Sequence, residues 1–147
     1  MITSTIGTTV AGKVWSRGAS QSAAPRAKQY TYQLDQTVNV TLDANGNGQG
    51  ILAPNTAREK WTVNFVSVST TQTIDNSPNN PSMITYRSSP VPGNQLAGTF
   101  TALLDTDSQS TYSLNINEGL VFVWSGGDPG AVGTVHIEGT RNVWENS

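Results

Sequence analysis

The chain has 147 residues, enough for one domain with a real hydrophobic core and too few for two comfortable ones. Only 12% of residues are charged and 35% are apolar, which sets it apart from charge-driven disordered sequences, and with no cysteine it has neither a disulfide framework nor a thiolate metal site. The longest late apolar run, Leu120 to Trp124, is far too short to span a bilayer, and "MITSTIGTTVAG" lacks the basic start and apolar stretch of a secretion signal, so a soluble, unprocessed protein without membrane contact is expected.

The net charge of −2 hides an asymmetry. Residues 1–34 carry Lys13, Arg17, Arg26 and Lys28 and no acid, whereas the remainder holds ten acids against four bases, so the first part is +4 and the rest −6. This opening segment is small, polar and rich in glycine, with no helical or alternating period. It reads as an extended basic N-terminal arm over residues 1–30, followed by a folded domain over 31–147. Val14 and Trp15 are its bulky anchors, and with Lys13, Arg17, Arg26 and Lys28 they are the expected contacts to a neighbouring subunit. Four scattered bases without interleaved aromatics argue against nucleic acid.

From Tyr30 the pattern changes to period two. "TVNVTLDANGNGQGIL" puts Val38, Val40 and Leu42 on one face, passes a Gly/Asn cluster and resumes at Ile51, which reads as a hairpin or a sharp strand reversal. "EKWTVNFVSVST" alternates through Trp61, Val63 and Phe65 and then continues with Val66 and Val68. The alternation slips by one near Phe65, as at a bulge or in a strand buried on both faces. "MITYR", "GTFTALL", "TYSLNI", "GLVFVWS" and "GTVHIEGTRNVW" supply further short strands, separated by "DNSPNNPS", "SSPVPGNQLA", "DTDSQS", "NEG" and "GGDPGA", all of them turn chemistry. No amphipathic helix stands out. Seven or eight strands at this spacing predict an all-β fold, a two-sheet β-sandwich or jelly roll carrying the N-terminal arm.

Several motifs invite a chemical reading. "DANGNG" opens like a calcium loop, but the twelfth position is Pro54 and only Asp43 is charged, so Asn45, Gly46, Asn47 and Gly48 are better explained as a tight turn. "SGGDPGA" has the glycine content of a phosphate loop without its GK[ST] ending; Gly126, Gly127, Asp128, Pro129 and Gly130 read as a rigid reversal. The one histidine, His136, alternates with Val135 and Ile137 and so faces away from them, as a surface or intersubunit residue. Asp105 and Asp107 point the same way if their strand persists, which suits acid/base work or a cation. Within a Ser/Thr-rich turn, however, acids more often bind local amides, and Glu118 and Asp128 also sit beside turns. Trp61 and Trp124 are expected in the core, Trp15 and Trp144 in the termini. No cofactor or metal motif emerges, and turn aromatics such as Tyr86 or Tyr112 offer the elements of a sugar platform.

The succession "GQGILAPNTAREKWTVNFVSVST", "SMITYRS", "GTFTALLDTDS" and "GLVFVWSGGDPGAVGTVHIEGT", over about residues 48–141, resembles small virion structural proteins of tailed bacteriophages of actinobacteria. The resemblance is strongest at the "WSGGDPGA" turn and the Gly-Thr ending. It implies a β-sandwich component of the head or tail without a catalytic site, in which Trp61, Val63, Val66, Val68, Gly98, Thr99 and the Trp124–Ala131 reversal are architectural. The expectation is therefore a non-enzymatic minor capsid, decoration or tail accessory subunit on the virion surface, made in the host cytoplasm. Its partners would be its own copies, a trimer among the allowed states, and major capsid or tail proteins. A carbohydrate-binding or host-receptor-binding module is the alternative, with a surface glycan as ligand.

Overall fold

The computed structural model describes residues 27–54, 58–99 and 101–146. The sandwich is the compact unit Gln29–Trp144. Its described elements are β1 (Ala27–Thr41), β2 (Gly48–Leu52), β3 (Glu59–Thr70), β4 (Ser82–Arg87), β5 (Gln95–Thr99), β6 (Leu104–Asp107), β7 (Tyr112–Leu114), β8 (Leu120–Ser125) and β9 (Val132–Asn146), with one 3₁₀ turn at Pro92–Asn94. Of the residues expected in the arm, 1–26 lie outside the described residues, while 27–30 belong to β1.

The strands form two antiparallel sheets. One runs β1-β9-β3-β6 with β7 also paired to β3, and the other runs β2-β8-β4-β5. β6 and β7 meet different parts of β3, opposite Val66–Ser69 and Trp61–Val63 respectively, so together they act as one interrupted strand. Counting them so, the eight strands pair first with last, second with seventh, third with sixth and fourth with fifth. That is the folded-over hairpin of a jelly roll.

The inner faces follow from the alternation. Trp61, Val63, Val66 and Val68 of β3, Val135 and Ile137 of β9 and Leu34 of β1 meet Leu120, Phe122 and Trp124 of β8 and Met83 of β4 in one buried cluster. The slip in β3 has a visible cause: Phe65 faces Glu138 and Val63 faces Gly139, which leaves Asn64 as an extra residue. At this bulge a Cβ on Gly139 would lie 1.9 Å from the Thr62 carbonyl oxygen, so only glycine fits opposite it.

Two readings of the sequence need correction. The "DANGNG" segment does not close a hairpin, because β1 and β2 lie in different sheets. It is a corner that carries the chain from one sheet to the other, as "SGGDPGA" does between β8 and β9. "GTFTALL" is not a single strand either. β5 ends at Thr99, the chain crosses sheets, and β6 begins at Leu104, taking in the Asp105–Asp107 stretch expected to be a turn. Fully buried Ala102 anchors this crossing: its amide donates to the Pro81 carbonyl at 2.7 Å, and its own carbonyl accepts the Thr70 hydroxyl at 2.8 Å. Satisfying these backbone groups across the sandwich outweighs strand propensity.

The two glycine-rich corners dock on each other. The Leu42 amide donates to the Ala131 carbonyl at 2.7 Å and the Gly127 amide to the Gly46 carbonyl at 3.0 Å. Within the first corner, Asp43 Oδ1 accepts the amides of Asn45 and Asn47 at 2.8 and 3.0 Å, closing the turn with its own carboxylate. Gly46 has φ +75°, and a Cβ there would fall 1.9 Å from the Gly127 oxygen. Gly130 shares that φ but has nothing within 4 Å of the same position. In urea unfolding, Gly130→Ala should therefore lose about 1–2 kcal/mol from the left-handed conformation alone. Gly46→Ala should lose at least about 1 kcal/mol more, the added cost of the clash. Equal midpoints for the two variants would show that the corners are not in contact.

Candidate functional site

The sandwich opens along one side, where β3 and β6 face β4 and β5. A cleft of about 240 Å³ lies there, with Val66, Val68, Met83 and Ala97 as apolar walls and Thr85, Asp105, Asp107 and Tyr112 as polar ones. Register explains why two acids reach it. Asp105 lies opposite Val68 and Asp107 opposite Val66, and residues directly opposite share a face, so both carboxylates point with the core valines. β6 is the last strand on that side of its sheet, which leaves the two acids room to meet solvent as well.

The polar groups of the cleft differ in how they are held. Asp107 Oδ1 accepts the amides of Gln109 and Ser110 at 2.9 and 3.0 Å, and the Tyr112 hydroxyl approaches Oδ2 at 3.4 Å. The backbone amide of Ser110 above all, with its hydroxyl, the Gln109 amide and the Tyr112 phenol, keeps the Asp107 carboxyl below the usual carboxylate range. Burial in the first place, then the neighbouring Asp107 charge, pushes the Tyr112 phenol up. Among the described residues Asp105 Oδ1 accepts only the amide of Thr106, at 2.9 Å. Thr85 is 3% exposed, and its hydroxyl has no hydrogen-bond partner among the described residues.

This arrangement supplies acceptors from two carboxylates, donors from a phenol and a threonine hydroxyl, and an apolar floor. Asp107, held in its ionised form, is suited to accepting hydrogen bonds from a hydroxylated or cationic group in the cleft.

A second feature lies outside the sandwich. On the outer face of β2-β8-β4, Val121 pairs with Ile51 and Tyr86, and Val123 with Ile84. These five residues make an apolar cluster that leaves Ile51 59% exposed while Val121 is only 2% exposed beneath its neighbours. The outer face of the other sheet is polar by contrast, with Thr31 bonded to Asn142 and Asn39 to Thr134.

The remaining acids serve turns. Asp128, 2% exposed, accepts the amides of Thr73 and Ile74 at 2.9 and 3.2 Å on Oδ2, and the Asn79 side chain at 2.8 Å and the Ser77 hydroxyl on Oδ1. The Ser77 hydroxyl foremost, then the Asn79 amide group and the Thr73 and Ile74 backbone, hold its carboxyl below the usual range. Glu118 accepts the Asn115 amide at 2.8 Å and pairs with Arg87 at 3.1 Å, and the Asn115 amide first, with Arg87 adding, lowers its carboxyl too. Trp61 and Trp124 are buried as expected, and Trp144 is half-buried with the Lys60 ammonium 5.6 Å from its ring.

Of the expected arm contacts, Lys13, Val14, Trp15, Arg17 and Arg26 lie outside the described residues, and Lys28 is exposed on β1. Sequence reasoning missed Thr85 and the outer apolar face. The signals were a polar residue in register with Met83 in "MITYR", and the unbroken "LVFVW", which reads as a strand covered on both sides. No helix among the described residues is long and apolar enough to cross a membrane. Compared with known protein families and with curated proteins, the chain matches none.

Asp107, Glu118 and Asp128 all bind a proton less readily folded than unfolded. The unfolded chain therefore takes up more protons as pH falls through the carboxylate range, so stability present above about pH 4 is lost below it. Calorimetric melting temperature should drop by at least about 5 °C between pH 6 and pH 3. Asp128→Asn should melt lower at pH 7 and show a shallower acid slope; an unchanged slope would remove Asp128 from this account.

Proposed function

We propose that the chain is a non-enzymatic structural subunit of a bacteriophage virion, a minor capsid, decoration or tail accessory protein that docks on a repeating protein surface. The observation that carries this reading is the outer apolar face of β2-β8-β4. An antiparallel sheet with water on its outer side alternates polar residues there, as the first sheet does, whereas Ile51, Ile84, Tyr86, Val121 and Val123 do not. A contiguous apolar cluster on the outer face of a sheet is suited to protein contact. Many copies on a lattice multiply a modest contact into stable retention, so a small cluster suffices. The likeness of the turn and strand succession to actinobacterial phage structural proteins points the same way. In this reading the basic residues of 1–30 contact a neighbouring subunit, and self-association is symmetric.

Mass spectrometry of purified particles from an infected culture should find the chain in many copies. Particles assembled with Ile51→Lys should lose it, while circular dichroism of the free variant stays unchanged because Ile51 is largely outside the core. Absence of the chain from wild-type particles, or full occupancy by the variant, would sink the proposal.

A second reading, a carbohydrate-binding module, is favoured by the cleft alone. Sugars present C–H faces to apolar walls and hydroxyls to carboxylates, and Asp105, Asp107, Thr85 and Tyr112 offer that combination. On a glycan array, saturable binding by the wild type that Asp105→Asn weakens at least about tenfold, the loss of one charged hydrogen bond, would support it. No binding to any glycan would leave the lattice reading alone.

A further inference from the structure

We infer that Asp35, His136 and Glu138 form a binding site for a zinc-class divalent metal ion on the outer face of the first sheet. His136 Nε2 lies 2.6 Å from Asp35 Oδ1 and 3.5 Å from Glu138 Oε2, and the three donor atoms all fall within 4.8 Å of one another. The site is built on strands and not on loops. His136 and Glu138 are two residues apart on β9 and so share its outer face, and Asp35 comes from β1, the neighbouring strand. Strand scaffolds hold ligands more closely than loops do.

The local charge favours a cation. No lysine or arginine pairs with Asp35 or Glu138 among the described residues, and the imidazole is the one partner each carboxylate has. Opposite them on β3 stand Ser67 and Phe65, and the Phe65 ring lies edge-on to the imidazole with centroids 6.2 Å apart, giving the ring an apolar side wall. Two anionic carboxylates and an imidazole would bring a divalent ion to neutrality.

Donor chemistry selects the ion. An imidazole with two carboxylates suits zinc and its first-row neighbours, while calcium and magnesium prefer oxygen alone. Tetrahedral zinc with ligand bonds of about 2.0–2.2 Å sets its donors roughly 3.3 Å apart. The distances of 2.6 and 3.5 Å bracket that value, so the exposed carboxylates need move by only about 1 Å. The ion takes the place between His136 Nε2 and Asp35 Oδ1 that their hydrogen bond spans, and leaves one position to water. Bound there, it clamps the outermost strand β1 to β9 without touching the cleft or the apolar face. The inference stands apart from the proposed virion role.

The experiment is isothermal titration of zinc chloride into the untagged full chain at pH 7.5, repeated with His136→Gln and Glu138→Gln. The wild type should take up about one equivalent with Kd near 10 μM or tighter, and each variant should bind at least about tenfold more weakly. Zinc should raise the melting temperature of the wild type and leave that of His136→Gln unmoved, and cobalt should give a visible absorption band with the wild type only. Both variants change outer-face residues, so circular dichroism should confirm an unchanged fold. No uptake by the wild type at about 1 mM zinc, or equal uptake by His136→Gln, would overturn the site.

Discussion

The buried carboxylate of Asp128 is where the far end of the sandwich is held together. Its two oxygens collect donors from Thr73, Ile74, Ser77 and Asn79, all on the link between β3 and β4, while its own backbone lies in the corner between β8 and β9. That corner in turn bonds to the one between β1 and β2 through the Gly127–Gly46 and Leu42–Ala131 pairs. Two connections that cross from one sheet to the other thus meet at one charged group, and a third docks on the corner that carries it. A carboxylate taken out of water is costly unless every lone pair finds a donor, and here each oxygen accepts two. The donors are equally dependent on it, since loop amides this close to a buried group have few other partners. The arrangement ties the link between β3 and β4 to the corner between β8 and β9.

The jelly-roll path makes such a clamp necessary. Most successive strands lie in opposite sheets, so few local hairpins exist to hold the fold in parts; β4 and β5, joined through the Pro92–Asn94 turn, are the clear case. Contacts between first and last strands close only after the intervening chain is in place, a costly order of events for loop entropy. Crowded glycines where strands and corners approach, and a carboxylate that draws several links to one point, reduce the number of ways the corners can settle. The same crowding explains why the apolar alternation alone does not specify the corners.

Much of this architecture was legible in the sequence because period-two alternation reports which side chains face the core. The slip at Phe65 announced the bulge at Asn64, and the position of His136 between Val135 and Ile137 placed it outward. What the sequence obscured was partnership. Asn-Gly repeats satisfy a hairpin and a sheet-crossing corner equally well, since both need positive φ; only the docking of Gly46 on Gly127 separates them. "GTFTALL" has strand propensity throughout, yet the bonds of Ala102 to Pro81 and Thr70 break it into a crossing. The cleft was half visible: the facing of Asp105 and Asp107 followed from spacing, but Thr85 and Met83 come from a distant strand brought opposite only by the fold. Asp35 and His136 are separated by 101 positions, and nothing local to either names the other.

The two sheets divide the surface between different chemistries, and that division bears on how the functional readings combine. The first sheet shows water a polar face with His136 and its two acids, while the second shows an apolar one. The cleft belongs to neither face, because it opens between the sheets where β5 and β6 are the outermost strands. A partner seated on Ile51, Val123 and Tyr86 covers the outer side of β8 and leaves the inner-facing Asp105 and Asp107 uncovered. The two proposed roles, docking on a lattice and holding a small polar ligand, would therefore draw on different atoms, and a substitution aimed at one would leave the other in place.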